Sequence, residues 1–321
     1  RSRGLGDVYK RQGVTLGIIF LFIQMSQMLF RPLRQIADKF NSLQMGMVST
    51  SRIFKILETD SFINDSGLLM PKQVEGKINF KNVNFSYVSN QQVIFDLNLN
   101  IPAGQTLAIV GPTGAGKSSI INLISRLYEF NKGKITIDDM DIRNIRISEL
   151  RSFVSVVPQD VFLFAATIYE NVTLFNPNIS KEQVISAAKE IGVHNFISKL
   201  PNNYDYNVRE RGVMLSSGQR QLIAFLRVFI INPNILVLDE ATSSIDSFSE
   251  SIIHKAISKI TAGKTSIIIA HRLETIKKAD RIIYFENGKI FEEGTHDELM
   301  KKKNGKYLNL YNVQFSANNK L

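Results

Sequence analysis

The hydrophobic pattern of the chain changes character after about its first sixty residues. Residues 14–30 read VTLGIIFLFIQMSQMLF, an uncharged run that contains two glutamines and one serine. Its length is at the lower limit for a membrane-spanning helix, and the polar residues favour packing within a helical bundle over full exposure to lipid. A buried helix of a soluble protein is the alternative for this stretch.

Apolar residues continue beyond Pro32 at helical spacing. From Leu33 to Leu57 they recur three or four positions apart, which predicts a helix that packs against another helix. Basic residues near this stretch mark its end as cytoplasmic by the positive-inside rule; they are Arg31, Arg34, Lys39, Arg52 and Lys55. Residues 13–59 are therefore interpreted as a transmembrane helix with a cytoplasmic extension.

The rest of the chain alternates between strand-like and helical patterns. Residues 60–76 contain Asp, Ser, Gly and Pro71 and are interpreted as a linker. Beyond them, strands are predicted at 77–87, 93–101, 106–110, 134–137, 153–156, 235–238, 265–270 and 281–285. A change of parity near Asn82 predicts a β-bulge. Helical patterns between the strands indicate an α/β fold with a mainly parallel sheet, whose ligand lies at the carboxyl ends of the strands.

The segment between the predicted strand 106–110 and a predicted helix at 118–127 reads GPTGAGKSS. It fits G-x-x-x-x-G-K-[ST], with Gly111 and Gly116 as the spaced glycines. Glycines bring backbone N–H groups against phosphate oxygens, and the following helix adds the positive end of its dipole. We expect Lys117 to reach the β and γ phosphates and Ser118 to bind Mg²⁺. A chance match is the alternative, but the flanking strand and helix are the context that the motif requires.

Two further motifs fit a nucleotide site. Residues 235–240 read ILVLDE, so Asp239 and Glu240 lie at the carboxyl end of a buried strand. We expect Asp239 to bind Mg²⁺ and Glu240 to act as general base beside the attacking water, although adjacent acids also occur in solvated loops. Residues 215–221 read LSSGQRQ, a helix start that offers hydroxyls and backbone N–H groups to an anion; a helix start with nothing bound is the alternative.

These motifs, followed by IIIAHR at residues 267–272, resemble the nucleotide-binding domain of ATP-binding-cassette (ABC) transporters, in the family's order. The resemblance covers residue 76 to about 315, and the preceding helix resembles the last transmembrane helix of an exporter-type half-transporter. It implies a phosphate-loop ATPase fold with a mainly parallel core sheet, an antiparallel β subdomain and an α-helical signature subdomain. The implied domains are the membrane helix 13–59, the linker 60–76, the nucleotide-binding domain 77–315 and a tail at 316–321.

The resemblance also implies roles for individual residues. Tyr87 corresponds to the aromatic residue that stacks on adenine, Gln159 to the glutamine that senses Mg²⁺ and couples to the membrane helices, and His271 to the histidine that contacts the γ-phosphate. The expected nucleotide-binding residues are Tyr87, Gly111, Thr113, Gly114, Gly116, Lys117, Ser118, Ser119, Ser216, Gly218, Gln219 and Asp246. The expected catalytic residues are Glu240, His271, Lys117 and Gln159, and the expected metal ligands are Ser118, Gln159 and Asp239.

Other positions complete this comparison with the family pattern. Residues 210–212 resemble the coupling segment of exporters, and Asp246 matches an aspartate that communicates between subunits. Ser217 stands where the family usually has its first signature glycine. The remaining histidines match no motif and are interpreted as ordinary surface residues; they are His194, His254 and His296.

Charge and composition exclude some classes of function. The net charge of +10 arises from 39 basic and 29 acidic residues, and the basic excess lies within residues 1–60 and 301–321, whereas residues 61–300 carry 25 of each sign. This distribution argues against a nucleic-acid partner and for a cytoplasmic membrane face. The absence of cysteine excludes disulfides, thiol catalysis and Cys-ligated zinc.

The first twelve residues differ in character from the apolar run after them. Residues 7–12, DVYKRQ, resemble a translated sequencing adapter. We hypothesise that residues 1–12 are not native and that native sequence begins near Gly13; an ordinary flexible terminus is the alternative.

The expected function is that of an ATP-binding and ATP-hydrolysing subunit of an inner-membrane exporter. In the full-length, multi-pass protein the ATPase domain is expected to be cytoplasmic, to require ATP and Mg²⁺, and to pair with a second ABC subunit that completes the ATP site. The exported substrate is not indicated by the sequence. Two alternatives are a soluble cassette ATPase and a low-turnover regulatory subunit of a heterodimeric exporter.

Overall fold

The computed structural model describes residues 14–59, 63, 65–239, 247–269 and 273–315. The chain divides into two compact units, Arg1–Phe62 and Ile63–Leu321. In the described residues, the first unit contains one long helix, and the second contains two β-sheets with their helices.

The helix of the first unit, α1, runs unbroken through Leu16–Leu57. It begins at Thr15, whose side chain accepts a hydrogen bond from the N–H of Ile18, and it contains Pro32 within its length. Its 42 residues correspond to about 63 Å, roughly twice the thickness of a bilayer's hydrocarbon core. Within the described residues, α1 is the one helix whose length and composition suit a membrane span, with a mean hydropathy of 1.5 over an 18-residue window.

Strands and helices of the second unit follow one another along the chain. The strands are β1 (Ile78–Val88), β2 (Gln91–Ile101), β3 (Thr106–Val110), β4 (Lys132–Ile137), β5 (Met140–Asp141), β6 (Val154–Val157), β7 (Ile235–Asp239), β8 (Thr265–Ile269), β9 (Arg281–Glu286) and β10 (Lys289–Gly294). The helices are α2 (Lys117–Ile124), α3 (Ile147–Phe153), α4 (Ile168–Thr173), α5 (Lys181–Ile191), α6 (His194–Ile197), α7 (Ser217–Ile231), α8 (Ser247–Thr261), α9 (Leu273–Lys277), α10 (His296–Lys301) and α11 (Lys306–Phe315).

The larger sheet has the strand order β10-β9-β3-β8-β7-β6. Its neighbours from β9 to β6 are parallel, and β10 joins the edge as the antiparallel partner of β9. The parallel strands are almost entirely buried, as expected for a sheet covered on both faces. This arrangement confirms the predicted fold class and places the carboxyl ends of β3 and β7 at the same edge, on either side of β8.

A smaller antiparallel sheet has the order β2-β1-β4-β5. The pairing of β1 with β2 shifts register between Phe80 and Val83, and Asn82 between them has a φ of 49°. The backbone N–H of Asn82 is satisfied by the side chain of Asn98 at 2.9 Å. The predicted bulge is therefore confirmed.

Helices α4 to α7, which come between β6 and β7 in sequence, pack against one another as a helical layer. The apolar face of α7 is buried against α4, α5 and α8. Arg227 of α7 donates hydrogen bonds to the carbonyl oxygens of Phe162 and Asn171 and to the side chain of Asn171. The helical layer is thereby joined to the segment that follows β6.

The hairpin of β9 and β10 was not predicted from the sequence. β10 reads KIFEEG and has only half-buried positions on its inner face, so its hydrophobic signal is weak. The two residues of the turn, Asn287 and Gly288, both have positive φ. Asn-Gly between two strands is the typical sequence of this type of hairpin turn and would have indicated it.

Residues 65–77 are held against the rest of the second unit at several points. The carboxylate of Asp65 accepts a hydrogen bond from the N–H of Ile147 at the start of α3, and Leu69 forms a parallel bridge with Ile145. The side chain of Asn234 donates to the carbonyl oxygen of Val74 at 2.6 Å. Hydrogen bonds thus hold this first segment of the second unit against the rest of that unit.

Two histidines outside the motifs are not ordinary surface residues, and that expectation was wrong for them. Nδ1 of His194 lies 2.9 Å from the hydroxyl of Tyr204, and Nδ1 of His296 lies 2.8 Å from that of Tyr307. Both histidines, like His254, are half-buried. Burial raises the pKa of each tyrosine to about 12. Each histidine begins a short helix that packs on a tyrosine later in the chain, a tertiary contact without a local sequence pattern.

Candidate nucleotide-binding site

The glycine loop joins the carboxyl end of β3 to the start of α2. Gly111 has a φ of 148°, and a Cβ at this position would lie 1.9 Å from the carbonyl oxygen of Phe285. Gly116 has a φ of 99° and immediately precedes α2. A Cβ at this position would lie 3.2 Å from Val93 of β2. Positive φ favours glycine at both positions, and the contact with Phe285 also leaves no room for a Cβ at Gly111.

Lys117 is the first residue of α2 and is only 7% exposed. Its Nζ donates hydrogen bonds to the carbonyl oxygens of Gly111 and Pro112, at 2.8 and 2.9 Å. The ammonium is therefore held over the loop by the backbone of that loop. In this position its charge lies beside the N-terminus of α2, where an anion is also favoured by the helix dipole.

One cavity of about 390 Å³ contains most of the predicted site. Its lining residues are Tyr87, Val93, Thr113, Gly114, Gly116, Lys117, Ser118, Ser119, Gln159, Asp239 and Ile269. The aromatic residue of β1, the phosphate loop, the glutamine after β6 and the acid that ends β7 thus share one space. The parallel sheet accounts for this, because β3 and β7 end at the same edge.

Three of the residues that line the cavity carry side-chain oxygens that can bind a metal ion. They are Ser118 with its hydroxyl, Gln159 with its amide and Asp239 with its carboxylate. Oxygen ligands of this kind suit Mg²⁺, which takes one or two carboxylates and leaves its other positions to water and phosphate. The residues expected as metal ligands are therefore brought together, whereas their role as ligands stays a prediction.

Tyr87 lies beside the phosphate loop and is 43% exposed. Its ring makes edge contacts with the rings of Phe85 and Tyr128, at centroid distances of 4.7 and 4.8 Å. Its hydroxyl lies 3.0 Å from Oγ of Ser119 and accepts a hydrogen bond from the side chain of Asn122 at 2.9 Å. Sequence reasoning missed Asn122 and Tyr128, although the spacing of Asn122 three residues after Ser119 places both on one face of α2.

The LSSGQ segment forms the N-terminus of α7. Oγ of Ser216 accepts the backbone N–H of Gln219 at 3.2 Å, and the side chain of Gln219 accepts the N–H of Ser216 at 3.0 Å. This reciprocal capping box starts the 15-residue helix. Ser216 and Ser217 are exposed, and Gly218 is buried. Ser216, Gly218 and Gln219 do not line the cavity of the phosphate loop described above.

The segment after Gln159 is held by a buried amide that sequence reasoning also missed. The side chain of Asn171, with no exposed surface, accepts the N–H of Phe164 and donates to the carbonyl oxygens of Phe164 and Thr167. Arg227 completes this network, and burial lowers the pKa of its guanidinium to about 10. Exposed phenylalanine rings lie next to one another on the outer side of this segment; they are Phe162, Phe164 and Phe175.

Three predicted residues lie outside the described part of the chain. They are Glu240, Asp246 and His271. Glu240 directly follows the last residue of β7, and His271 follows the last residue of β8 by two positions. Their roles remain predictions from the sequence.

Comparisons with known proteins agree with this geometry. Residues 94–243 match the family model described as ABC transporter. The ABC transporter ATP-binding protein YknV of Bacillus subtilis (strain 168), described as uncharacterized, is 41% identical over 305 residues, which are 95% of this chain and 50% of the relative. The ATP-dependent lipid A-core flippase of Chromohalobacter salexigens is 39% identical over 303 residues, which are 94% of this chain and 52% of the relative.

A solved structure is similar along most of the chain. It is the structure of a bacterial Atm1-family ABC exporter with ATP bound, with a TM-score of 0.73 and 34% identity, covering 93% of this chain and 52% of that one. The chain thus spans about half the length of the relatives that it matches. Its fold, its motifs and these relatives show that the chain contains an ABC transporter domain.

Proposed function

We propose that this chain is the ATP-binding and ATP-hydrolysing part of an exporter subunit. The observation that carries the proposal is the single cavity that joins Lys117, Ser118, Gln159 and Asp239 at the carboxyl edge of the parallel sheet. Phosphoryl transfer of this kind depends mainly on positioning and on electrostatic stabilisation of charge. The residues gathered in the cavity supply both.

The phosphate groups of ATP are bound by the loop and by the start of α2. Backbone N–H groups of the loop donate to phosphate oxygens, and Lys117 turns from the carbonyl oxygens of Gly111 and Pro112 towards the β and γ phosphates. Tyr87 offers its exposed ring to the adenine base. The ribose and base therefore lie on the side of the cavity formed by β1 and β2.

Mg²⁺ fits the oxygen donors of the same cavity. Ser118, Gln159 and Asp239 would hold it, and when bound it neutralises charge on the phosphate oxygens. Glu240, next to Asp239 in sequence, acts as general base and accepts a proton from the attacking water. His271 contacts the γ-phosphate from the end of β8.

A second ABC subunit completes the site. The start of α7 attracts anions through its N-terminus. Its residues Ser216, Gly218 and Gln219 are not among the described residues that line the cavity of their own subunit. They are therefore assigned to the nucleotide of a partner subunit, and Asp246 to communication across the interface. Nucleotide binding then draws the two domains together, and hydrolysis releases them.

The membrane part of the proposal rests on α1 and on the relatives. We assign residues 13–59 to a transmembrane helix with a cytoplasmic extension, residues 60–76 to the linker, residues 77–315 to the cytoplasmic ATPase domain and residues 316–321 to a tail, with residues 1–12 as non-native sequence. Relatives described as a flippase and as an Atm1-family exporter support an exporter in the inner membrane.

The proposal is tested with the whole chain, purified in detergent. Binding of ATP is measured by calorimetry and release of phosphate by a colorimetric assay, for the parent, Glu240→Gln and Lys117→Ala. We expect Glu240→Gln to bind ATP without turnover and to accumulate as a dimer, and Lys117→Ala to lose both activities. The exposed Lys303→Ala is the matched control for removal of a lysine. Turnover by Glu240→Gln at the parent rate would refute the assignment of the base.

A further inference from the structure

Hydrogen bonds among three side chains connect Tyr87, the residue expected to stack on the base, with the start of α2. Nδ2 of Asn122 lies 2.9 Å from the hydroxyl oxygen of Tyr87, and that oxygen lies 3.0 Å from Oγ of Ser119. Tyr87 is the last but one residue of β1, whereas Ser119 and Asn122 are one turn apart on α2. The chain of hydrogen bonds therefore links the antiparallel sheet to the helix that follows the phosphate loop.

The direction of one of these two hydrogen bonds is fixed by chemistry. An amide nitrogen can only donate, so the contact with Asn122 uses a lone pair of the Tyr87 oxygen. Either hydroxyl can donate in the contact between Tyr87 and Ser119. When Tyr87 donates its single proton, Oγ of Ser119 is the acceptor and the proton of Ser119 is directed elsewhere. Ser119 is 4% exposed and lines the cavity of the phosphate loop, so that cavity is where the proton can be donated.

Ring contacts hold Tyr87 in the orientation that this requires. Phe85 and Tyr128 meet its ring at interplanar angles of 78° and 90°, the edge arrangement that aromatic pairs favour. These contacts fix the ring while leaving part of it exposed. The hydroxyl is thereby kept at the surface of α2.

We propose that the hydroxyl of Tyr87 and the amide of Asn122 are positioning residues for Ser119, which they orient to donate its hydroxyl proton to a phosphate oxygen of the bound nucleotide. The inference rests on the proposed function, because it assigns this cavity to the phosphates of ATP. It adds that Tyr87, the residue expected to stack on the base, also acts on the phosphate end of the ligand through its hydroxyl. Asn122 contributes without touching the ligand.

Tyr87→Phe separates this role from base stacking. The variant keeps the ring but removes the hydroxyl, so a residue that acted only as a stacking surface would lose nothing. We expect Tyr87→Phe to weaken binding of ATP and of inorganic tripolyphosphate by the same factor, about threefold to tenfold, the usual effect of one hydrogen bond. Tripolyphosphate has no base, so this loss cannot come from stacking. Tyr87→Leu, which also removes the ring, should weaken binding of ATP more than that of tripolyphosphate.

The decisive measurement is a double-mutant cycle with Ser119. Dissociation constants for ATP and tripolyphosphate with Mg²⁺ are measured by calorimetry on the whole chain in detergent, with Glu240→Gln present throughout so that ATP is not consumed. We expect Asn122→Ala to weaken both ligands and to add little to Tyr87→Phe. In the Ser119→Ala background, both substitutions should lose their effect, whereas a structural role would persist. Tyr128→Phe is the matched control, because it removes a neighbouring hydroxyl that is not one of these three hydrogen-bonded side chains.

The outcomes separate this inference from the proposed function. If the parent chain binds neither ligand, both fall. If the parent binds ATP but Tyr87→Phe binds tripolyphosphate as tightly as the parent, or weakens it equally in the Ser119→Ala background, the inference is overturned and the proposed function stands. Thermal unfolding of each variant without ligand checks that the fold is unchanged.

Discussion

Both carboxylate oxygens of Asp138 accept the backbone N–H of Gly76, at 3.1 and 3.2 Å. The same carboxylate accepts the N–H groups of Glu75 and Lys77, at 2.7 and 2.8 Å. One side chain in the turn between β4 and β5 therefore fixes three consecutive backbone groups at the entry to β1. This carboxylate holds the end of the segment that connects the domain to the residues of the first unit.

Replacement of Asp138 should loosen that segment. Asp138→Ala leaves three N–H groups without their acceptor, and we expect it to lower the free energy of unfolding by about 2 kcal/mol. Denaturant unfolding of the whole chain in detergent measures this change, and limited proteolysis should show faster cleavage within residues 65–77. Asp139→Ala is the matched control, because Asp139 makes only an exposed ion pair with Lys77 in the described structure and should change stability by less than about 1 kcal/mol. Equal effects of the two substitutions would contradict the assignment.

A methyl group at Gly111 should abolish nucleotide binding. The Cβ of Gly111→Ala would collide with the carbonyl oxygen of Phe285, so the loop must move away from β9. We expect a loss of ATP affinity of at least about a hundredfold, together with a lower unfolding temperature. Gly104→Ala tests positive φ alone, because Gly104 has a φ of 76° but no atom within 4 Å of its Cβ position. That control should cost about 1 kcal/mol of stability and leave ATP affinity unchanged.

Ser216 and Ser180 allow capping to be separated from function. Both begin a helix with a reciprocal capping box that ends in glutamine, Gln219 in α7 and Gln183 in α5. Replacement of either serine by alanine should therefore lower the free energy of unfolding by about 1 kcal/mol. Only Ser216→Ala should also reduce ATP turnover, because α7 is proposed to face the nucleotide of a partner. Reduced turnover in Ser180→Ala as well would indicate that the effect arises from stability alone.

Acidification should destabilise the fold through His296. Burial lowers its pKa below the usual 6.5, with a further contribution from Lys277, while Asp297 acts in the opposite direction. The unfolded chain therefore binds this proton more readily than the folded chain, and stability rises with pH between the folded and the unfolded pKa. When the pH is lowered from 7.5 to 5.5, the unfolding temperature should fall less for His296→Gln than for the parent. An equal fall in both proteins would show that His296 does not contribute to this pH dependence.

Periodicity and motif spacing predicted most of the fold and the phosphate loop. The strands that form the parallel sheet were predicted because buried strands appear as short apolar runs, and the bulge at Asn82 was visible as a change of parity. The β9–β10 hairpin was missed because its outer strand carries two glutamates and little apolar surface. A partly buried edge strand has no strong pattern, so its turn residues are the better signal.

The contacts that support the site could not be predicted from a linear pattern in the sequence. Asn122 and Asn171 act through side-chain hydrogen bonds to residues on other elements, and neither stands in a recognisable motif. The pairing of His194 and His296 with buried tyrosines depends in the same way on packing between elements. Sequence spacing predicted most of the residues that line the cavity, whereas the residues behind them emerged only once the chain was folded.

The capping box of α7 has a consequence for how two subunits would associate. In the capping box the side-chain oxygens of Ser216 and Gln219 act as acceptors, so the cap does not use the hydroxyl proton of Ser216 or the amide protons of Gln219. Contact with a partner's nucleotide would therefore add hydrogen bonds to phosphate without breaking the cap. The negative charge of the nucleotide is also attracted by the positive end of the helix dipole. That part of the attraction would weaken as ionic strength rises.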